Sequence, residues 1–264
     1  MKPMRRMLLP AALVLLLPLA AIAQAPAQEA SAPAVVSATP ADVPEPEPVL
    51  QPFVANYLVY KAGKPLGEAT MQLVRQQPPR WRVDLVMRGT RGLFGLAGIN
   101  AEQSTVFDVV GETYRPLTQA TVNKSIFTRK QTVGLYDWRS NAARWQGEVD
   151  EDHPGPIALK AGDMTGLLIN LAVIRDAEPG KTLHYRFVDD GRARDHTYVV
   201  AEQVDSITVG DLSYKAMKAT RAKDDNEETV IWVARNVPTP IRILQRENGE
   251  DTYDLRLVEY RGVD

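Results

Sequence analysis

Residues 53–88, FVANYLVYKAGKPLGEATMQLVRQQPPRWRVDLVMR, decide the fold class. Phe53, Ala55, Tyr57 and Val59 alternate with polar or smaller neighbours, and Ala69, Met71 and Leu73 do the same. Trp81, Val83, Leu85 and Met87 fall on one side of a third segment, with Arg80, Arg82, Asp84 and Arg88 on the other. An apolar period of two is the mark of a strand with one buried face, because successive side chains point to opposite sides of the pleat. Ala62-Gly63-Lys64-Pro65 and Gln76-Gln77-Pro78-Pro79 separate these segments as turns.

The same pattern runs outward to the C-terminus. Leu183, Tyr185 and Phe187 alternate, as do Tyr253, Leu255 and Leu257. Asp189-Asp190-Gly191, Gly210-Asp211 and Glu247-Asn248-Gly249 supply hairpin turns. Short strands joined by tight turns describe an antiparallel meander rather than β-α-β units. One stretch departs from it. In DMTGLLINLAVIRD, residues 163–176, Met164, Leu167, Leu168, Leu171 and Ile174 share a helical face. Asp163 is the expected N-cap, and Pro179-Gly180 the stop. The expected fold is mainly β: an antiparallel curved sheet, half-barrel or sandwich-like, with one packed α-helix around 163–176.

The N-terminus carries an address. Lys2, Arg5 and Arg6 precede an apolar run over residues 7–21, followed by small residues. This is the layout of a secretory signal peptide, and a run interrupted by Pro10 and Pro18 is short against the roughly 20 residues of a membrane span. Cleavage is expected after Ala23, giving a periplasmic protein with no transmembrane span after cleavage. The loss of three bases takes the net charge from −2 to −5. Residues 24–52 hold seven prolines and no aromatic residue, including the alternating Pro44, Pro46 and Pro48. Such a segment reads as a disordered Pro/Ala-rich linker, since it has too little apolar area to offset the entropy of ordering. Residues 53–264 form the single β-rich domain.

Composition excludes several function classes. With 31 Lys and Arg against 33 Asp and Glu, the chain has no basic footprint for nucleic acid. The absence of cysteine removes thiol catalysis, disulfides and cysteine metal sites. Gly89, Gly92, Gly95 and Gly98 recur every third residue but form neither a dinucleotide fingerprint nor a P-loop. Leu93, Phe94, Leu96 and Ile99 lie among them, so this loop is the candidate ligand-binding lid over an apolar cavity, or a foot on a membrane. A plainer reading tucks them into the core. The acidic run Glu148, Asp150, Glu151 and Asp152 lacks calcium-loop spacing and reads as a solvated turn. His184 and His196 could face one another across a hairpin beside Asp195, but ordinary strand histidines fit better. Trp81 and Trp232 read as core, and one of Trp138 and Trp145 as exposed. No catalytic residue, metal site or cofactor is assigned.

Several segments together resemble the domain of unknown function 3108 family. They are FVANYLVYKAGKPLGEATMQL from residue 53, RKQTVGLYDWRSNAARW from 129, AGDMTGLLINLAVIR from 161 and the close ETVIWVARNVPTPIRILQRENGEDTYDLRLVEY from 228. Asp163, Trp232 and the strand led by Pro240 carry much of the likeness. The resemblance implies an exported β-rich domain and supplies no activity. The expected function is a non-enzymatic, envelope-associated binding domain for a lipid or other amphiphile, or for an envelope protein. A structural interaction module, or a carboxylate-dependent hydrolase acting on envelope polymers, are the alternatives.

Overall fold

The period-two segments become sixteen strands of one sheet in a computed structural model, which describes residues 50–92, 95, 98, 100–149, 155–222 and 226–263. The expected signal peptide, residues 1–23, and all but the last three residues of the expected linker lie outside the described residues. A first meander runs through β1 (Phe53–Lys61), β2 (Lys64–Arg75), β3 (Arg80–Gly89), β4 (Asn100–Val110), β5 (Thr113–Lys124), β6 (Arg129–Asp137), β7 (Ala142–Gly147) and β8 (Ile157–Ala158). The two-residue β9 (Asp163–Met164) and the helix α1 (Gly166–Asp176) follow. A second meander comprises β10 (Thr182–Asp189), β11 (Arg192–Val200), β12 (Asp205–Val209), β13 (Leu212–Ala222), β14 (Glu227–Ala234), β15 (Arg242–Glu247) and β16 (Glu250–Gly262).

The first and last long strands join the two meanders. β1 pairs with β16 along its whole length, from Phe53 opposite Gly262 to Lys61 opposite Tyr253. The hydrogen-bonded path therefore runs from β8 back to β1, across to β16, and on through β15, β14, β13, β11 and β10 to β9, with β12 also beside β13. All neighbours are antiparallel except β9 and β10. Among the described residues this is an open curved sheet, mostly β, with α1 as its packed helix, as the sequence predicts.

The two ends of the path are four residues apart in the chain, so residues 159–162 must bring them together. The backbone fixes that hop: Leu159 N–H donates to the Asn141 carbonyl at 2.9 Å and Asp163 N–H to the Lys160 carbonyl at 3.1 Å. The Asp163 side chain is 0% exposed. One guanidinium nitrogen of Arg186, on β10, donates to both its oxygens at 2.6 Å, and Lys160 N–H adds a bond at 2.9 Å. Tyr136 on β6 reaches over the same junction, its hydroxyl 2.7 Å from both the Gln119 side-chain oxygen and the Val188 carbonyl. Tyr136, Ala143, Leu159 and Val188 form a small apolar cluster there, separate from the main core.

Asp163 is therefore not the helix cap. It sits in β9, and α1 begins three residues later with Thr165 as N-cap, whose hydroxyl oxygen accepts from Leu168 N–H at 3.4 Å. The helix ends at Ala177, whose N–H closes on the Val173 carbonyl. Leu167, Leu168, Ile169, Leu171, Ala172 and Val173 are buried, more than one face of a surface helix would supply. The helix packs against β3 and β4 of the first meander and β10 and β14 of the second, so it lies across the inside of the curve.

Inward positions are those the alternation names: Phe53, Ala55, Tyr57, Val59, Met71, Leu73 and Val83 are all buried. Tyr57 donates to the Pro240 carbonyl at 2.8 Å and shares a 2.6 Å hydrogen bond with the Thr239 hydroxyl, which ties the β14–β15 connection to β1. Other carboxylates are buried as well. Asp254 takes two hydrogen bonds from Arg242 and one from Arg256, each 2.8 Å. These guanidiniums lie over the Trp232 ring (4.9 Å) and the Tyr60 ring (4.4 Å) respectively. The result is a cation–π and ion-pair ladder across β14, β15, β16 and β1.

Burial would raise the Asp254 carboxyl, but its two arginines outweigh burial and hold it below the ordinary carboxylate range. Its stabilisation is therefore complete above the unfolded value of about 3.9 and is lost as pH falls through the lower folded value. Asp254→Asn is expected to cost at least about 1 kcal/mol in urea unfolding near neutral pH. The difference from wild type should shrink in acid, and an equal difference at both pH values would contradict this assignment.

Candidate functional site

Sixteen strands enclose more space than one eleven-residue helix fills. Between α1 and the strands lies a cavity of about 470 Å³, within the size range of small-molecule sites. Its walls come from alternate positions: Leu85 and Met87; Ala101, Gln103 and Thr105; Gln119, Thr121 and Asn123; Arg194, His196 and Tyr198; Ile243 and Gln245; Tyr253 and Leu255. The same period-two arrangement that predicts strands therefore also builds the site.

The lining is graded. Leu85, Leu167, Ile169, Ile243 and Leu255 are buried and form an apolar floor against the helix. Gln103, Asn123, Arg194, Glu227 and Gln245 face the same space yet are exposed. Inward-facing side chains reach water only where the curve opens, so these five mark the mouth. They lie at the end of the sheet that carries the β3–β4, β5–β6, β10–β11, β13–β14 and β15–β16 connections. The N-terminal turn of α1 also faces the cavity, through Thr165, Gly166 and Asn170. Thr165 is held by a 3.0 Å hydrogen bond to Thr105 on β4.

One wall is thinly joined. β10 and β11 pair over eight residues, and β13 and β14 over seven. β11 meets β13 only through Val199 opposite Thr220 and Val200 opposite Ala219. From Tyr198 toward the mouth the two strands share no ladder among the described residues, and the cavity-lining Tyr198 and Arg221 stand at that seam. Arg221 donates to Thr229 at 3.2 Å and, with burial, sets the Tyr198 hydroxyl: burial raises it and the guanidinium draws it partly back.

His184 and His196 do not face each other. Residue 184 pairs with Thr197, and Tyr185 with His196, which puts the two imidazoles on opposite faces. His196 is on the inner face, its ring stacked on Phe187 with centroids 4.7 Å apart. His184 is on the outside, 3.2 Å from the Thr197 hydroxyl. Trp138 and Trp145 pack against the closure cluster. Trp145 lies on Gly134, where a Cβ would come within 2.6 Å of the indole nitrogen, so glycine is what lets the ring settle on β6. Trp138 donates to the Pro116 carbonyl at 2.7 Å with the Arg115 guanidinium over its ring. Trp81 and Trp232 are buried.

The four expected lid residues, Leu93, Phe94, Leu96 and Ile99, lie outside the described residues, as do Asp150, Glu151 and Asp152 of the acidic run. What can be placed is the frame of the Gly-rich loop. It leaves β3 just after Met87 and enters β4 just before Ala101, both of which line the cavity. The residues sequence reading missed are the polar inward ones, Gln103, Gln119, Thr121, Asn123, Asp189 and Arg194. They alternate in register with the apolar positions, but a search for apolar alternation passes over them.

Residues 56–256 match a family described as a protein of unknown function, DUF3108. The chain belongs to the DUF3108 family. No curated protein matches it significantly. Among solved structures it is similar to a β-barrel-like protein of the DUF1849 family from Brucella abortus, at 14% identity and a TM-score of 0.52, over 81% of this chain and 99% of that one. A DUF1089 family protein from Pseudomonas aeruginosa aligns at 12% identity and a TM-score of 0.35, over 66% of this chain and 87% of that one. The first likeness supports a β-barrel-like fold for this DUF3108 chain. Among its described residues no helix is long and apolar enough to cross a membrane.

Asp189 faces the cavity, and its carboxyl is shifted by burial there. Burial pushes its carboxyl up, and hydrogen bonds from Gln119 and the Asp190 backbone pull it only partly back. A raised folded value means that stability falls as pH climbs from the unfolded carboxylate value, about 3.9, through the folded one. Asp189→Asn should therefore match wild type in acid and become the more stable protein near neutral pH, by up to about 1 kcal/mol. A variant that loses stability as pH rises would overturn that reading of the site.

Proposed function

We propose that this DUF3108 domain is a binding protein rather than an enzyme, exported to the periplasm, whose interior cavity takes a single amphiphile. The observation that carries the reading is the grading of the cavity. Apolar side chains lie at the floor, and amide and charged side chains lie at an open mouth. An acyl or other apolar group would occupy the space beside Leu167, Ile169 and Ile243, releasing water from both surfaces. The polar end of the same molecule would stay at the rim, among Gln103, Asn123 and Arg194, without being desolvated. The export assignment rests on the basic, apolar and small-residue order of residues 1–23.

Native mass spectrometry of protein purified from its producing cell, with organic extraction of anything that co-purifies, tests the reading. A stoichiometric lipid or related amphiphile is expected. Ala101→Trp and Thr121→Trp place bulk in the cavity from half-buried positions. Together they should reduce retention of a fluorescent fatty-acid analogue by about tenfold or more, with the fold intact by circular dichroism. A clean protein mass, combined with unchanged probe binding by the filled variant, would rule the cavity out as the site.

A further inference from the structure

The β5–β6 hairpin ends in Ser125-Ile126-Phe127-Thr128. The turn is firmly built. Ser125 N–H donates to the Thr128 carbonyl at 2.8 Å, and the Ser125 hydroxyl oxygen accepts from Phe127 N–H at 3.3 Å and Thr128 N–H at 3.1 Å. At its apex Ile126 is 61% exposed and Phe127 87%. Two large apolar side chains are thus held out in water by a turn hydrogen-bonded to keep them there.

Charge is arranged behind them. Register places Arg88 opposite Asn100, Asn100 opposite Lys124, and Lys124 opposite Arg129, one row across β3, β4, β5 and β6 immediately below the apex. Lys130 follows opposite Asn123, and Arg91 is exposed just past β3. Three acids face the same patch: Glu102, bound to Lys124 at 3.0 Å, Glu68, opposite Arg88, and exposed Glu148, whose N–H donates to the Gln131 carbonyl at 2.9 Å. Among the described residues, five cations against three anions leave the collar basic, although the domain as a whole is not. Gly98 flanks the apex, since a Cβ there would lie 3.1 Å from an Ile126 methyl.

We propose that this hairpin tip docks the protein on an anionic lipid bilayer. Ile126 and Phe127 enter the interface, and Arg88, Arg91, Lys124, Arg129 and Lys130 meet headgroup phosphates. A convex apex of two side chains is far smaller than the roughly 800 Å² per partner of a standard protein interface. A bilayer interface, by contrast, accepts a local apolar insertion backed by basic residues. The tip stands at the mouth end of the sheet, with Asn123 on its own strand lining the cavity, so docking would bring the mouth to the lipid surface. The proposal rests on the hairpin's own geometry and holds or fails separately from the cavity reading.

The test is cosedimentation of the full-length chain, beside its I126S/F127S variant, with vesicles of phosphatidylcholine alone or mixed with phosphatidylglycerol. Both proteins carry the same N-terminal apolar run, so their difference isolates the hairpin. Wild type is expected to bind the mixed vesicles, and less so as salt is raised. The variant should bind them about tenfold or more weakly. Because both side chains are exposed, its thermal midpoint should be unchanged, and its co-purifying ligand, if any, retained. A second variant, F127W, should gain tryptophan quenching by brominated lipid that wild type lacks. Equal binding by wild type and I126S/F127S, no binding by wild type, or no dependence on phosphatidylglycerol would each overturn the proposal.

Discussion

The carboxylate of Asp163 is the constraint on which the rest of the structure depends. It is fully buried, and it holds Arg186 of the second meander and the backbone of Lys160 next to the end of the first. Burying a charge is costly unless it is paired and hydrogen-bonded, and here both oxygens are engaged. Because β8 and β9 lie at opposite ends of a long hydrogen-bonded path, this local arrangement sets a global property, namely how far the sheet curls. The helix starts three residues later, so the same segment also fixes where α1 enters the interior. The position of α1 then decides which part of the interior is filled and which part remains a cavity.

Charge serves different ends on the two faces of the sheet. On the ladder that runs through Trp232, Arg242, Asp254, Arg256 and Tyr60, carboxylate and guanidinium are matched and stacked on aromatic rings, and the groups are consumed by one another. In the cavity, polar side chains alternate with apolar ones around an open space. A core built only for stability would close that space with larger apolar residues, as small barrels do. The weak seam between β11 and β13 lies on the same wall, where two residue pairs and the Ala201 N–H bond to the Lys218 carbonyl are the described links.

Much of this was legible in the sequence, because a strand with one buried face declares itself with a period of two. Phe53 to Val59 and Trp81 to Leu85 are buried where alternation puts them. The helix start was legible only to within three residues. Aspartate and threonine are both good N-caps, and local sequence does not reveal that Asp163 is claimed by Arg186, 23 positions away. The alternative in which His184 faces His196, less favoured than ordinary strand histidines, is ruled out by arithmetic that a turn imposes. A two-residue turn at Asp190-Gly191 makes paired residue numbers sum to an odd value, so residues 184 and 196, twelve apart, cannot stand opposite each other. The polar half of the cavity was hidden because inward polar residues look like any solvated strand face until register shows which way they point.

The most direct test of the central claim is a double-mutant cycle on Asp163→Asn and Arg186→Gln, read by denaturant unfolding. If the pair holds β9 on β10 where the chain arrives from the β8 end of the sheet, each single variant should be strongly destabilised. The double variant should then be less destabilised than the sum, with a coupling of at least about 1.5 kcal/mol. Effects that add to within about 0.5 kcal/mol would show that the two side chains act independently. The closure of the sheet would then have to be sought elsewhere.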